Sequence, residues 1–261
     1  MKERYEEYSK NIEKNRIYIR DHYRPLYKSL YNLNDDIFDP SFVNAIRANT
    51  TVSLKEILKQ EHPGIYSFDM LQPAFCYQLL EEVLSIDSWC ERNKIKKQRP
   101  NSMNNYGIIL DDFGFAPFLD QLMTEYIVPL STLLFKDVGG DSLDEHHGFI
   151  VEYKLGEDTS LGFHTDDSDV TLNVCLGKKF EGGSLYYKGL RCRLCQQTES
   201  LPQEDVEINH SVGRAILNRG QHRHGAYDIT SGERYNLILW CKSKYYREHN
   251  DSGKCPDWCG R

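Results

Sequence analysis

The hydrophobic positions change their period near residue 140. Before that point, apolar residues recur every three or four positions, which is typical of amphipathic helices. After it, short runs of β-branched and aromatic residues are separated by Gly, Asp, Asn and Ser, which is typical of strands and turns. The chain therefore predicts a largely helical first part followed by a set of short strands.

Helical spacing in the first part predicts a peripheral helix and several internal ones. The predicted helices cover residues 3–31, 53–60, the region around 75–83, and 116–135. Ser53 and Glu56 have the spacing of a capping box, which places the start of the second helix at Ser53. A strand is expected at residues 64–70.

Short strands with turn residues between them predict a sandwich or barrel. The expected strands cover residues 106–110, 148–153, 170–176, 184–187, 215–218 and 235–241. We expect an α+β fold with a double-stranded β-helix, or jelly roll, supported by the N-terminal helices. The predicted division is a helical extension (1–62), a main domain (63–245, with the jelly roll at about 146–243) and a cysteine-containing tail (246–261).

Composition and charge limit the classes of partner. A chain of 261 residues that is 39% hydrophobic can bury a full core. Its formal charge of -7 makes nucleic acid an unlikely partner, because phosphate-backbone binding needs a broad basic face. The charged start MKERYEEYSK lacks a secretory core, and no stretch has the ~18 apolar residues of a membrane span. We therefore expect an intracellular protein, cytoplasmic or nuclear, with no membrane contact.

Eight cysteines in such a compartment are expected to be reduced thiols. Two close pairs, Cys192 with Cys195 and Cys255 with Cys259, could together supply four thiolates to a structural zinc ion. Their irregular spacing and the position of the second pair at the chain end favour unliganded thiols. The sequence leaves the two interpretations open.

His164 and Asp166 form a His-x-Asp pair on one predicted strand, and His224 follows Asp166 by 58 residues at the edge of another. Side chains at positions i and i+2 of a strand share a face. Two imidazoles and one carboxylate on one face of a metal leave the other face open, which is the ligand set of non-heme Fe(II) oxygenases.

Further motifs accompany this set. They are Tyr153 eleven residues before His164, Asn173 within TLNVCLG, the turn Glu181-Gly182-Gly183, and HGAYDITSGERYNL, in which Arg234 stands ten residues after His224. Over roughly residues 64–245, the chain resembles the 2-oxoglutarate and Fe(II)-dependent oxygenases of the prolyl 4-hydroxylase and lysyl hydroxylase branch. The segment RPNSMNNYG at residues 99–107 resembles the 2-oxoglutarate and iron-dependent oxygenase domain-containing proteins of this branch.

The resemblance also selects among the histidines. His224 is favoured over His222 as the third ligand, because a glycine follows it and it has the family offset from Arg234. His222 would then lie behind the ligands or at the rim. His146 and His147 are interpreted as loop or edge residues rather than ligands.

The resemblance implies Fe(II), 2-oxoglutarate and O2 as cofactors, with ascorbate as a reductant. Arg234 would bind the far carboxylate of 2-oxoglutarate through a bidentate contact. Tyr153 and Asn173 would donate further hydrogen bonds to this cosubstrate, although purely structural roles in the core remain open for both. Thr171 shares the face of Asn173 and is a weaker candidate for the pocket wall.

The implied activity is a dioxygenase that hydroxylates a C–H bond and releases succinate and CO2, with a protein or peptide side chain of prolyl or lysyl type as substrate. Alternatives are a catalytically silent jelly-roll binding module, an oxygenase acting on a nucleobase or small molecule, and an enzyme using another metal without 2-oxoglutarate. The candidate substrate residues are Arg99, Asn101, Asn104, Asn105 and Tyr106. They either form a turn-rich loop or lie at the mouth of the barrel.

Overall fold

The structure, a computed structural model, describes residues 2–249 and 254–260, with side chains from residue 10 onward. Part of the predicted tail lies outside the described residues. The helices are α1 (Lys2–His22), α2 (Pro40–Ala48), α3 (Thr51–Glu56), α4 (Pro73–Asn93), α5 (Ala116–Gln121), α6 (Val128–Leu134) and α7 (Lys244–His249). In the described ranges, no helix combines the length and apolar character needed to cross a membrane.

The strands follow the predicted regions and add several short ones. They are β1 (Lys59–His62), β2 (Ile65–Asp69), β3 (Gly107–Ile109), β4 (Glu145–Lys154), β5 (Leu161–His164), β6 (Val170–Gly177), β7 (Phe180–Gly182), β8 (Leu185–Leu190), β9 (Asp205–Ile208), β10 (Arg214–Arg219), β11 (His222–Ala226) and β12 (Ile229–Lys242). Every predicted strand corresponds to one of these. The pattern did not predict β1, β7 and β9, whose short runs are partly exposed and carry little hydrophobic signal.

Two helix predictions need correction at their ends. The helix expected over residues 3–31 stops at His22, and residues 28–31 form a separate 3-10 turn. Pro25 explains the break, because proline disfavours helical backbone in the residue before it. The helix predicted from Ser53 is α3, which begins after Thr50 instead. The Thr50 side chain accepts a hydrogen bond from the Ser53 backbone N–H, and the Ser53 hydroxyl accepts one from the Thr50 backbone N–H.

The helix expected at residues 116–135 is present, but its middle turn is widened. Residues Leu122–Ile127 form a π-helical turn between α5 and α6. Pro129 lies at the start of α6 and has no N–H to donate to the preceding turn. Such a wide turn accommodates the missing bond without ending the helix.

The strands form two antiparallel sheets, which confirms the predicted jelly roll. The larger sheet has the order β1-β2-β10-β6-β12-β4-β3, with β7 paired to β12, and the smaller has the order β5-β11-β8-β9. The helices cover the outer face of the larger sheet, where one buried cluster joins Phe42, Leu79 and Leu130 to Leu172 and Leu239. The inner faces of the two sheets enclose a cavity.

One continuous core therefore joins the helical part to the sheet. The boundaries at residues 62 and 245 stay a prediction.

Candidate active site

His164 and His224 stand directly opposite each other on neighbouring strands of the smaller sheet. His164 is the last residue of β5, and its Cα pairs with that of His224 in β11. Their ring centroids are 4.3 Å apart. His224 is in the middle of its strand rather than at its edge, so pairing on both sides fixes its backbone.

Both rings are oriented by backbone carbonyls. Nδ1 of His164 donates to the Gly162 oxygen at 2.8 Å, and Nδ1 of His224 donates to the His222 oxygen at 2.8 Å. Because a carbonyl can only accept, each neutral ring carries its proton on Nδ1 and presents an Nε2 lone pair. Those Nε2 atoms lie 3.3 Å and 3.7 Å from the carboxylate oxygens of Asp166.

Asp166 lies beyond the end of β5, so the prediction that both residues of the His-x-Asp pair share a strand is wrong. Other contacts bring its carboxylate to the histidines. The Asp166 N–H donates to the Gly220 oxygen at 2.9 Å, and the Thr171 hydroxyl donates to Oδ2 at 2.7 Å. The predicted pocket residue Thr171 thus contacts a candidate ligand.

The electrostatics of this group favour a bound cation. One ligand atom from each of His164, Asp166 and His224 lies within 4.8 Å of the other two. Burial lowers the pKa of His224, which keeps that ring neutral. Burial opposes ionisation of Asp166, but its two histidine neighbours hold the pKa of the carboxyl below its usual value. Burial also opposes the charged form of His164, but the adjacent Asp166 raises the pKa of that ring above its usual value. An ionised carboxylate beside two imidazoles favours a positive charge among them, which a bound cation would supply.

Arg234 on β12 extends a positive charge into the same cavity. Its side chain is fully buried, and its guanidinium carbon lies 4.3 Å from the ring centroid of Tyr153, its cross-strand partner on β4. Nη1 donates to the Gly183 oxygen, whereas Nε and Nη2 have no hydrogen-bond partner among the residues that the structure describes. A buried guanidinium with free donors is a binding site for a carboxylate.

Comparison with known proteins identifies the family. Residues 19–140 match the OGFOD2-like domain. The chain is 47% identical over 247 residues to the 2-oxoglutarate and iron-dependent oxygenase domain-containing protein CP2 of Arabidopsis thaliana, covering 94% of this chain and 63% of that protein. It is 38% identical over 250 residues to the 2-oxoglutarate and iron-dependent oxygenase domain-containing protein 2 of Danio rerio, covering 93% and 68%. The chain belongs to this family of oxygenase domain-containing proteins.

The family resemblance read from the motifs is thereby confirmed. The chain spans 63% of the length of the Arabidopsis protein. A structure of prolyl 4-hydroxylases from Phytophthora capsici is similar with a TM-score of 0.50 and 16% identity, covering 82% of this chain and 69% of that one. At this identity the similarity bears on the fold alone, and it agrees with the jelly roll. The site residues fit the iron and 2-oxoglutarate of the family name.

Tyr153 and Asn173 line the cavity with the metal-site residues and Arg234. Burial raises the pKa of Tyr153, so its hydroxyl stays protonated and can donate. The Asn173 amide oxygen accepts from Asn236 at 2.6 Å, and the same Asn236 nitrogen is 3.1 Å from Nδ1 of His210. Asn173 therefore belongs to a buried polar group as well as to the cavity wall.

Asn236 and His210 are absent from the sequence-based predictions. Asn236 follows Arg234 by two residues on β12 and so shares its face, which was an available signal. His210 lies between β9 and β10, outside any strand pattern. Its proximity to Asn236 arises from the fold.

The candidate substrate residues of the 99–106 segment separate into two groups. Asn101 and Asn104 line the metal cavity, and the Asn104 amide approaches the Tyr153 hydroxyl at 3.5 Å. The other candidates contact different parts of the molecule. Arg99 donates to the Asn104 carbonyl, Asn105 bonds to Asp158, and Tyr106 is exposed.

The remaining candidate histidines lie outside the metal group. His222 is buried rather than at the rim, and its carbonyl orients His224. His146 and His147 lie at the start of β4, which fits the edge interpretation rather than the loop interpretation, and neither belongs to the metal group. His146 contacts Asp120 at 2.9 Å, and Nε2 of His147 donates to the Pro100 carbonyl.

Proposed function

We propose that this protein is an Fe(II)- and 2-oxoglutarate-dependent dioxygenase that hydroxylates a C–H bond of a protein side chain, of prolyl or lysyl type. The observation that carries the proposal is one cavity containing both the metal-site group and Arg234 with two unpartnered donors. A metal site alone would fit many reactions. The additional buried guanidinium fits a cosubstrate that chelates the metal at one end and carries a carboxylate at the other.

In this proposal His164, Asp166 and His224 hold the iron, and the hydrogen bonds to Gly162, His222 and Thr171 keep the ligand atoms aimed at it. When bound, iron with 2-oxoglutarate and dioxygen supplies the oxidation: one oxygen atom enters the substrate C–H bond and the other enters the succinate formed as CO2 leaves.

Arg234 has the role of cosubstrate anchor. Its free Nε and Nη2 would donate to the far carboxylate, and the protonated hydroxyl of Tyr153 would add a donor beside it. Val151 and Ile238 contribute apolar surface to the same cavity, which limits competing water. Asn101 and Asn104, at the cavity wall, are the candidates for contact with the substrate.

A protein substrate is supported by a groove beside the metal cavity. The groove has a volume of about 610 Å³ and shares Leu161 with the cavity. Phe163 and Tyr227 line it and are 49% and 44% exposed. Exposed aromatic side chains in a groove of this size are suited to a peptide segment whose side chain enters the cavity.

The cytoplasmic or nuclear location expected from the sequence stays a prediction.

Succinate release from 2-oxoglutarate with Fe(II) tests the activity. Wild type should turn over 2-oxoglutarate slowly even without substrate, and His164→Ala should abolish this turnover. Arg234→Met, which keeps the length of the side chain but not its charge, should lower kcat/KM for 2-oxoglutarate on the order of 100-fold, because a charged contact to a dicarboxylate is lost.

Two matched variants control for general damage. His146→Asn changes a partly buried histidine outside the metal group, on β4, and Arg214→Ala changes a partly buried arginine outside the cavity, on β10. Both should retain turnover. A wild type that binds iron but never releases succinate would support a silent binding module instead. An unchanged kcat/KM for 2-oxoglutarate in Arg234→Met would show that Arg234 does not anchor the cosubstrate.

The substrate class is tested by mass spectrometry of a protein pool incubated with enzyme, Fe(II), 2-oxoglutarate and ascorbate. We expect a gain of one oxygen atom, about 16 Da, on proline or lysine residues, absent from an iron-free incubation and from the His164→Ala enzyme. Oxygen insertion into nucleobases or small molecules, with the protein pool unchanged, would contradict the proposed substrate class while leaving the oxygenase activity in place.

A further inference from the structure

Two pairs of cysteines that are distant in sequence meet next to the end of β8. Cys192 and Cys195 lie in the loop between β8 and β9, and Cys255 and Cys259 lie in the segment 254–260. Their sulfur atoms all lie within 4.8 Å of one another. The fold thus combines the two close pairs into one cluster, although about 60 residues separate them along the chain.

The distances in this cluster match a tetrahedral metal site better than disulfides. The Sγ atom of Cys255 is 3.7 Å from those of Cys192 and Cys195. A disulfide requires about 2.05 Å between sulfurs. Four thiolates at about 2.3 Å from a central zinc ion lie about 3.8 Å apart along the edges of the tetrahedron.

Backbone donors point at the sulfurs. The Cys192 N–H donates to Sγ of Cys259 at 3.3 Å, and the Leu194 backbone donates to the Cys192 sulfur. A thiolate accepts such bonds better than a neutral thiol does, because its charge strengthens the hydrogen bond. Backbone N–H donors around a ligand sulfur are therefore the surroundings expected of a metal-bound thiolate.

A nearby positive charge complements an anionic cluster. Four thiolates with one Zn²⁺ carry a net charge of about −2. Arg223 is 3% exposed, its guanidinium donates to neutral groups that include the carbonyls of Lys188 and Thr198, and it interacts electrostatically with Cys259. A buried guanidinium bonded to neutral acceptors retains its charge and stabilises a nearby anion.

We propose that Cys192, Cys195, Cys255 and Cys259 bind one structural zinc ion, which fastens the C-terminal segment 254–260 to the β8–β9 loop. The closed set of four cysteines leaves no position for a substrate, as in structural zinc sites generally. This site is separate from the proposed iron centre and does not depend on the activity proposed above. It also differs from the interpretation that the cysteine spacing along the chain favoured, in which the four thiols bind no metal.

The zinc site has a consequence for the neighbouring groove. Residues 196–200 of the same loop line that groove, and the Gln196 amide donates to the Thr165 hydroxyl, between the candidate ligands His164 and Asp166. The C-terminal segment adds one backbone bond of its own, from Gly260 N–H to the Leu190 oxygen. The zinc ion would thus stabilise one wall of the groove.

Metal analysis and zinc X-ray absorption of the purified full chain test this proposal. We expect one zinc ion per chain with a shell of four sulfurs at about 2.3 Å. Cys259→Ser and Cys195→Ser should lose this zinc. Cys90→Ser changes a buried thiol on α4 outside the cluster and should keep it. His164→Ala should also keep the sulfur-bound zinc, which separates this site from the histidine site.

A second measurement covers the case in which the cysteine variants do not fold. Removing zinc from the wild-type protein with a chelator should raise hydrogen exchange in residues 254–260 and 192–200 and leave β6 protected. The proposal is overturned by a wild-type chain without zinc, by zinc bound through nitrogen and oxygen alone, by full zinc content in a folded Cys259→Ser, or by a disulfide between cluster cysteines.

Discussion

Arg234 and Gly183 are in direct contact: Nη1 of Arg234 donates to the Gly183 carbonyl oxygen. A Cβ atom added to Gly183 would lie 2.9 Å from that same nitrogen and 2.7 Å from a methyl carbon of Ile229. Gly183 has a φ of +66°, which glycine adopts readily. The turn after β7 therefore both orients the guanidinium and leaves room for it.

Gly183→Ala should displace Arg234 and raise the KM for 2-oxoglutarate on the order of 10-fold, the equivalent of one hydrogen bond. Gly156→Ala is the matched control, because Gly156 also has a positive φ, of +88°, but nothing lies within 4 Å of its added Cβ. Gly156→Ala should lose about 1 kcal/mol of stability because of its positive φ alone, and Gly183→Ala should lose more because its Cβ also clashes with Ile229 and Arg234. Equal KM values in the two variants would show that the Gly183 contact does not position Arg234.

Thr171→Val should weaken iron binding. The Thr171 hydroxyl donates to Oδ2 of Asp166, and valine keeps the shape of the side chain while removing the donor. Loss of a hydrogen bond to a metal ligand typically costs about 10-fold or more in metal affinity. The Fe(II) dependence of succinate release measures the effect. Thr124→Val, on the exposed face of the π-helical turn, is the control. An unchanged iron affinity in Thr171→Val would refute the prediction.

His210 should make folding stability depend on pH. Burial, with the nearby charge of Arg234, lowers the pKa of His210 to about 3. An unfolded histidine titrates near ~6.5. As the pH falls from about 6.5 toward 3, this histidine binds a proton in the unfolded chain but stays neutral in the folded chain. Its contribution to the free energy of unfolding is therefore present above this pH window and is lost within it, by up to ~1.4 kcal/mol per pH unit.

Urea unfolding of wild type and His210→Asn at pH 7 and pH 5 checks this sign. Asparagine offers an acceptor near the position of Nδ1, where Asn236 donates, but it does not titrate. The variant should lose less stability on acidification than wild type does. Burial also lowers the pKa of His222 to about 3, so part of the acid sensitivity should persist. Identical losses in both proteins would contradict the assignment to His210.

Glu82 should anchor the N-terminal part. This fully buried carboxylate on α4 accepts from the Tyr23 and Tyr31 hydroxyls at 2.5 Å and 2.9 Å and from the Tyr27 N–H at 2.8 Å. Glu82→Gln weakens these charge-assisted bonds and should cost about 2 kcal/mol of unfolding free energy, measured in denaturant. The neighbouring Glu81→Gln alters an exposed bond to the Tyr27 hydroxyl and should change stability by less than about 0.5 kcal/mol.

The regular elements were largely predictable because each has a local signal. Short runs of β-branched and aromatic residues located β4, β6 and β12, and the recurrence of Phe75 and Leu79 located α4. Errors fell where a different local effect decided the boundary, as at Pro25 in the first helix and at Thr50 before α3. The smallest strands were missed because a run of three or four partly exposed residues has too few positions to show a period.

The sequence by itself determined the types of group available for chemistry: two imidazoles and a carboxylate with family spacing, and an arginine at a fixed offset from His224. Only the tertiary structure decided which groups meet. Asp166 reaches the histidines from beyond its strand, His210 joins Asn236, and the two cysteine pairs form one cluster. The physical reason is that spacing constrains neighbours along one element, whereas contacts between distant segments depend on how the sheets and loops pack together.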